Sequence, residues 1–108
     1  MSTTDALARL EAVIASRQNG DPEASYVAKL NAKGLDKIAQ KLGEEATETV
    51  IAALSQDREA LVGEAADLVF HLLVLLGHKG VAFDEVLAEL DRREGVSGIA
   101  EKASRNNQ

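Results

Sequence analysis

The chain has 108 residues and a net charge of −6, and 45% of its residues are hydrophobic while only 3% are aromatic. This length predicts a single domain, and the acidic balance argues against a general nucleic-acid binder. The lack of cysteine excludes disulfides, thiolate metal ligands and a cysteine nucleophile. The N-terminus does not resemble a signal peptide, and the longest apolar run is too short to span a bilayer. We therefore expect a cytoplasmic protein that binds no membrane.

Helical periodicity and the presence of a single proline predict an all-α protein. The predicted helices run from about Asp5 to Arg17, from Glu23 up to a break or bend at Gly34, from Leu35 to Leu54, from Arg58 to His78 and from Asp84 to Arg93. Short connections favour antiparallel neighbours, so we expect an antiparallel bundle of four to five helices that dimerises through helix packing. The fourth helix is apolar nearly all round, which is typical of a buried central helix. Residues 1–94 are assigned to this domain, and residues 95–108 to a tail that either joins the substrate site or is disordered.

Five carboxylates stand at helical spacing in sequence that is otherwise rich in apolar residues. They are Glu44, Glu45 and Glu48 in the third helix and Glu64 and Asp67 in the fourth. On a helical wheel of about 100° per residue, Glu45 lies at the core edge, Glu48 lies beside it and Glu44 lies furthest out. If the third and fourth helices pack antiparallel, the two i,i+3 pairs can meet. Ionised carboxylates that converge are costly, so either some are protonated or a cation lies among them.

Oxygen ligands of this kind suit Mg²⁺, or Mn²⁺, rather than zinc. Mg²⁺ commonly binds carboxylates together with substrate phosphates. The acids therefore predict a phosphate-ester or phosphoanhydride substrate that is attacked by a metal-activated water. The alternative is that the acids form a solvated face, and this alternative is weakest for the fourth helix because little of that helix looks solvated.

Four lysines recur at every fourth position before the acids, at Lys29, Lys33, Lys37 and Lys41. On a continuous helix they form a slowly drifting basic stripe. Lys33, Lys37 and Lys41 are candidates to bind substrate phosphates, and Arg93 could also reach one. The alternative is that these are ordinary surface lysines, whose ion pairs contribute little, and for Lys29 that alternative is at least as good.

Ser25 and Tyr26 open the second helix, where free backbone N–H groups could receive a substrate phosphate. Alternatively, Ser25 is an early-turn residue and Tyr26 packs against its neighbours. His71 lies one turn after Asp67, and we expect it to be a satisfied core residue rather than a ligand or an acid/base group.

The acidic spacing also resembles a known signature. Glu45-x-x-Glu48 preceded by Glu44, followed by Glu64-x-x-Asp67, is similar to the EExxE…ExxD pattern of the all-α nucleoside-triphosphate pyrophosphohydrolases, the MazG-like superfamily. More narrowly, "SYVAKLNAKGLDKIAQKLGEEATETVIAA" and "EAADLVFHLLVLL" resemble the phosphoribosyl-ATP pyrophosphatase family. The resemblance covers essentially the whole chain.

The resemblance implies Mg²⁺-dependent hydrolysis of phosphoribosyl-ATP to phosphoribosyl-AMP and pyrophosphate, the second step of histidine biosynthesis, by a helical homodimer. It implies that the metal ligands are Glu45, Glu48, Glu64 and Asp67, and that Glu44 is an outer or second-metal ligand. One alternative is a housecleaning pyrophosphatase that acts on free or damaged nucleoside triphosphates. The segment from Ser25 to Lys41 disfavours it. The other alternative is a non-catalytic helical interaction module.

Overall fold

The computed structural model describes residues 3–94, 102 and 105, and it contains no β-strand among them. The five helices are α1 (Thr3–Arg17), α2 (Tyr26–Lys33), α3 (Leu35–Ser55), α4 (Arg58–His78) and α5 (Phe83–Arg93). The predicted all-α class is therefore confirmed. The second helix begins three residues later than predicted, because residues 22–24 form a turn. Most of the predicted tail lies outside the described residues.

The ends of α2, α3 and α4 follow from local capping. The Oγ atom of Ser25 accepts a hydrogen bond from the Ala28 N–H at 3.2 Å and begins α2. Asp57 begins α4 in the same way, since its carboxylate accepts from the Ala60 N–H at 2.8 Å. Gly34 has a φ of +96°, a conformation that residues with a Cβ rarely adopt. This single glycine ends α2 and precedes α3, so the predicted break occurs there.

The hairpin formed by α3 and α4 is the main packing unit of the fold. A two-residue turn joins these helices, and they share the most extensive contact between any two helices of the chain. The Thr49 hydroxyl oxygen lies between two carbonyl acceptors, 2.8 Å from that of Glu45 in its own helix and 3.1 Å from that of Glu64 across the hairpin. The antiparallel arrangement that the short connection predicted is therefore present, and it brings the middle of α3 beside the middle of α4.

The core lies towards the open end of this hairpin, where α1 and α2 cover it. Its buried apolar residues come from four helices and are Ile14, Val27, Leu30, Ile38, Leu73 and Val74. By contrast, α5 has no buried residue. Its first amide, the Phe83 N–H, donates to the Glu11 carboxylate of α1 at 2.7 Å, which ties the start of α5 to the bundle.

The expectation that α4 is buried all round is wrong for the single chain. Only His71, Leu73 and Val74 of this helix are buried, because α1 and α2 cover one end of the hairpin and leave the other open. Large apolar residues are exposed there instead, with one face of α3 and one face of α4 contributing. This apolar hairpin surface consists of Val50, Ile51, Leu54, Val62 and Val69.

By length and composition alone, α4 could cross a membrane. Two features of the fold argue against that reading. Glu64 and Asp67 lie within the helix, and carboxylates inside a bilayer are costly. The same helix also packs along α3 and supplies part of the core.

Candidate active site

Three carboxylates converge between α3 and α4. Glu45, Glu48 and Glu64 each contribute one oxygen, and these oxygens lie within 4.8 Å of one another. Glu45 is buried with 8% of its surface exposed, Glu64 is half-buried and Glu48 is exposed. The antiparallel hairpin thus joins the two acidic motifs, which are separated by the α3–α4 turn. We call these three residues the acidic cluster.

Two oxygens of the acidic cluster are buried without a hydrogen-bond partner among the described residues. They are Oε2 of Glu45 and Oε2 of Glu64. Burial raises the pKa of Glu45, and a hydrogen bond to the Glu48 carboxyl raises it further. For Glu64, the hydrogen bond to Glu48 is the main cause of its raised pKa, and burial adds to it. Each of the converging carboxylates disfavours the charged form of its neighbours, and a cation among them would relieve this repulsion.

This donor set fits a hard divalent cation. All of the converging donors are carboxylate oxygens, the ligand type that Mg²⁺ and Mn²⁺ prefer. A cation would also satisfy the two oxygens that lack partners, because each unpartnered buried oxygen loses its interactions with water on folding. These three carboxylates could therefore supply part of the ligand set of a metal ion.

Asp67 and Glu44 lie at different distances from the acidic cluster. Asp67 is exposed and outside the converging set, although its charge contributes to raising the pKa of Glu45. Glu44 is also exposed and faces away, where the Gln40 amide donates to its Oε1 at 3.2 Å. That hydrogen bond, together with the nearby Lys41, lowers the pKa of Glu44. Glu44 is thus an ionised carboxylate outside the cluster, as the helical wheel placed it.

His71 lies behind the acidic cluster with 5% of its surface exposed. Its Nδ1 is 2.7 Å from the Asp67 carbonyl oxygen, which can only accept, so Nδ1 carries a proton. In the neutral ring Nε2 then accepts from the Tyr26 hydroxyl at 2.8 Å. Both nitrogens are satisfied, which agrees with the expected core role. The bond to Tyr26 joins residues 45 positions apart, so no local sequence pattern could reveal it.

A lysine pocket lies beside the acidic cluster. Its volume is about 170 Å³, and its lining residues are Tyr26, Lys29, Leu30, Lys33, Lys37 and Lys41. Lys41 connects the pocket to the acidic side, since its Nζ is 3.6 Å from Oε2 of Glu44. No carboxylate of the described residues forms a salt bridge with the other three lysines. This concentration of positive charge, in a protein of net charge −6, favours the binding of an anion.

Two of the predicted substrate contacts have other partners in the structure. The Ser25 hydroxyl caps α2, so its oxygen already accepts a hydrogen bond. Arg93 lies on α5, where its Nε donates to Oε2 of Glu89 at 2.9 Å. It lines a different pocket, with Val86 and Leu90 among its neighbours. The structure therefore groups Tyr26 with the lysines and does not place Arg93 among them.

The chain was compared with known proteins. The family model described as phosphoribosyl-ATP pyrophosphohydrolase matches residues 7–94. The chain belongs to this family. It is 75% identical over 107 residues to the phosphoribosyl-ATP pyrophosphatase of Novosphingobium aromaticivorans, with 99% of this chain and 100% of that protein covered. The proteins of the same name from Erythrobacter litoralis and Rhizorhabdus wittichii are 69% and 66% identical over 94% of this chain and 97% and 96% of theirs. The predicted family and the hydrolase class are confirmed.

Proposed function

We propose that the chain hydrolyses phosphoribosyl-ATP to phosphoribosyl-AMP and pyrophosphate, the second step of histidine biosynthesis. The main support is the 75% identity, over nearly the whole chain, to a protein named for that substrate. The site chemistry agrees, because an acidic cluster that fits a cation lies next to a pocket of lysines. An anionic phosphoanhydride can bridge such a pair of sites.

The cofactor we propose is Mg²⁺, with Mn²⁺ as a substitute, held by Glu45, Glu48, Glu64 and Asp67. When bound, a divalent ion supplies Lewis-acid polarisation of the phosphoanhydride and neutralises part of its charge. The buried position of Glu45 and the packing of α3 along α4 hold the carboxylates close together before substrate arrives. Such preorganisation means that little rearrangement is needed during the reaction.

The remaining residues of the site bind and orient the substrate. Lys41 lies one turn before Glu45, where its ammonium group can stabilise the negative charge that develops on the departing pyrophosphate. Glu44 lies beside it as an outer carboxylate, and we retain for it the role of an outer or second-metal ligand. Tyr26 forms one wall of the site, held by its hydrogen bond to His71.

We further propose that the protein is a cytoplasmic homodimer joined through the apolar hairpin surface. Leu54 is 82% exposed and Val62 is 62% exposed, and each belongs to an exposed apolar face of its helix. A second copy would cover the surface that the chain leaves open. Residues 1–94 would form the catalytic domain of each subunit, and residues 95–108 its tail.

Pyrophosphate release from phosphoribosyl-ATP, beside a panel of ordinary nucleoside triphosphates, tests this function. We expect release with Mg²⁺ or Mn²⁺, loss of release with a chelator, and a clear preference for phosphoribosyl-ATP. Glu48→Gln and Asp67→Asn should abolish turnover while circular dichroism still reports a helical fold. Preference for an ordinary triphosphate would instead support a housecleaning pyrophosphatase.

A further inference from the structure

The lysine pocket carries more positive charge than the reaction centre needs. Lys41 is one helical turn from the acidic cluster. Lys37 precedes Glu45 by two turns, about 12 Å along the helix axis. Lys29 and Lys33 come from α2, on the other side of Gly34, and complete the far side of the pocket. The pocket therefore extends away from the point where the phosphoanhydride is cleaved.

The lining of the pocket is suited to a sugar phosphate rather than to a polyphosphate alone. It includes the Tyr26 ring, which is stacked on Phe70 with ring centroids 6.1 Å apart, and the buried Leu30. A polyphosphate gains nothing from such apolar surface, whereas a ribose can cover it and place a phosphate among the ammonium groups. The alkyl parts of the lysines add to the same surface.

The size of the pocket agrees with a fragment of this kind. At about 170 Å³, it is smaller than the roughly 300–1,000 Å³ of sites that hold a whole drug-sized ligand. It can take one end of an extended substrate while the other end lies on the acidic cluster. Because Tyr26 is held by His71, the apolar wall has a defined position before the ligand binds.

We propose that Lys29, Lys33 and Lys37 bind the phosphate monoester of the phosphoribosyl group, the part of the substrate that an ordinary nucleoside triphosphate lacks. The inference rests on the proposed function and extends it to the origin of substrate preference. The triphosphate end lies at the acidic cluster, with Lys41 between the two ends. Selection then depends on a second anion held apart from the cleaved bond.

A cycle of two enzymes and two substrates tests the assignment. The substrates are phosphoribosyl-ATP and the same molecule with a hydroxyl in place of the ribosyl 5-phosphate. The enzymes are the natural protein and Lys37→Gln, with Lys79→Gln as the matched control, since Lys79 is exposed at the end of α4 and away from the pocket. Lys37 is partly exposed, so the variant should fold normally.

We expect Lys37→Gln to lower kcat/KM for phosphoribosyl-ATP by about tenfold or more, the usual effect of losing one charge-assisted hydrogen bond. For the dephosphorylated substrate the same variant should have the natural kcat/KM. Equal loss on both substrates would mean that Lys37 contacts the triphosphate, and no loss on either would mean that it contacts neither end. Both results would overturn the assignment.

A binding measurement separates this inference from the proposed function. Ribose 5-phosphate titrated into the isotope-labelled protein should shift the amide signals of α2 and of the first turns of α3. The shifts should disappear in Lys37→Gln and with plain ribose. If the natural protein failed to hydrolyse phosphoribosyl-ATP, the proposed function would fail, while these shifts would still report whether the pocket takes a sugar phosphate. If the shifts were absent while hydrolysis was normal, the pocket assignment would be wrong and the proposed function would stand.

Discussion

The charge balance of the acidic cluster leads to a test in which one substitution has opposite effects with and without metal. The change is Glu48→Gln, which keeps the shape of the side chain and removes one of three converging charges. Its new amide can also donate to the unpartnered oxygens of Glu45 and Glu64. Without metal we therefore expect the variant to be more stable than the natural protein. When Mg²⁺ is added, we expect the free energy of unfolding to rise much less for the variant than for the natural protein.

The size of the effect follows from the distance between the carboxylates. The three oxygens lie within 4.8 Å of one another, and two full charges at that upper limit repel by about 3.5 kcal/mol at an effective dielectric constant of 20. Solvent screens the exposed Glu48, so we expect a net gain of about 1–2 kcal/mol in the free energy of unfolding. For a chain of this length that gain corresponds to a rise in Tm of roughly 4–8 °C.

The pH dependence has a defined sign. The folded-state pKa values of Glu45 and Glu64 are raised above the ordinary value of 4.5. Their contribution to stability is therefore present below pH 4.5 and is lost as the pH rises through the folded pKa values. As the pH rises above 4.5, the metal-free natural protein should lose more stability than Glu48→Gln, because Glu48 helps to raise both pKa values.

Thermal unfolding at pH 8, with EDTA or with Mg²⁺ and at a constant protein concentration, measures both effects. The natural protein should gain about 2.7 kcal/mol when Mg²⁺ is present at one hundred times its Kd. Glu23→Gln, a change at an exposed residue outside the cluster, should alter neither the Tm in EDTA nor the stabilisation by Mg²⁺. If Glu48→Gln lowered Tm in EDTA and then responded to Mg²⁺ like the natural protein, the three carboxylates would not form one site.

Three further changes test other parts of the structure. Leu54→Glu should halve the mass measured in solution by light scattering, because it places a charge on the proposed dimer surface. Leu90→Glu on α5 should leave the mass unchanged. An unchanged mass for Leu54→Glu would place the interface elsewhere. Asp57→Ala should lower the free energy of urea unfolding by about 1 kcal/mol, because the α4 cap is lost. Asp57→Ser should keep most of the stability of the natural protein, since serine is also a good cap. An equal loss of stability in both variants would argue against capping. Hydrogen bonds from Arg92 and Arg93 lower the pKa of Glu89 to about 2, so their support of α5 should be full above pH 4.5 and fade as the pH falls towards 2. Far-ultraviolet circular dichroism should detect this fading in the natural protein and not in Glu89→Gln.

Several elements of the fold could be read from the sequence because they depend on neighbours in the chain. The span of α4 from Arg58 to His78 follows from its apolar pattern and from the Asp57 cap, and both are local. The order of burial within the third helix, with Glu45 inside and Glu44 outside, follows from helical geometry alone. The family could be read in the same way, since the segment from Ser25 to Lys41 is contiguous.

Other elements depend on contacts between distant residues, and the periodic pattern does not contain them. The exposure of Val62 and Val69 depends on how few helices cover the hairpin, so an all-round apolar helix was wrongly expected to be buried. The hydrogen bond from Tyr26 to His71 requires α2 to pack against α4. Neither the exposure of these valines nor this hydrogen bond can be predicted from the residues next to them in the sequence.

The arrangement of the lysines is partly visible in the sequence and partly decided by the tertiary structure. Their four-residue spacing and the break at Gly34 are visible in the sequence, and the spacing alone indicates a stripe on one helix surface. In the structure the positive φ of Gly34 separates α2 from α3, and the lysines of the two helices line a common pocket around Leu30 and the Tyr26 ring. The sequence by itself thus determined the helices and the charges that each carries. Only the tertiary structure decided that those charges enclose a space, because a concave site forms where separate helices meet.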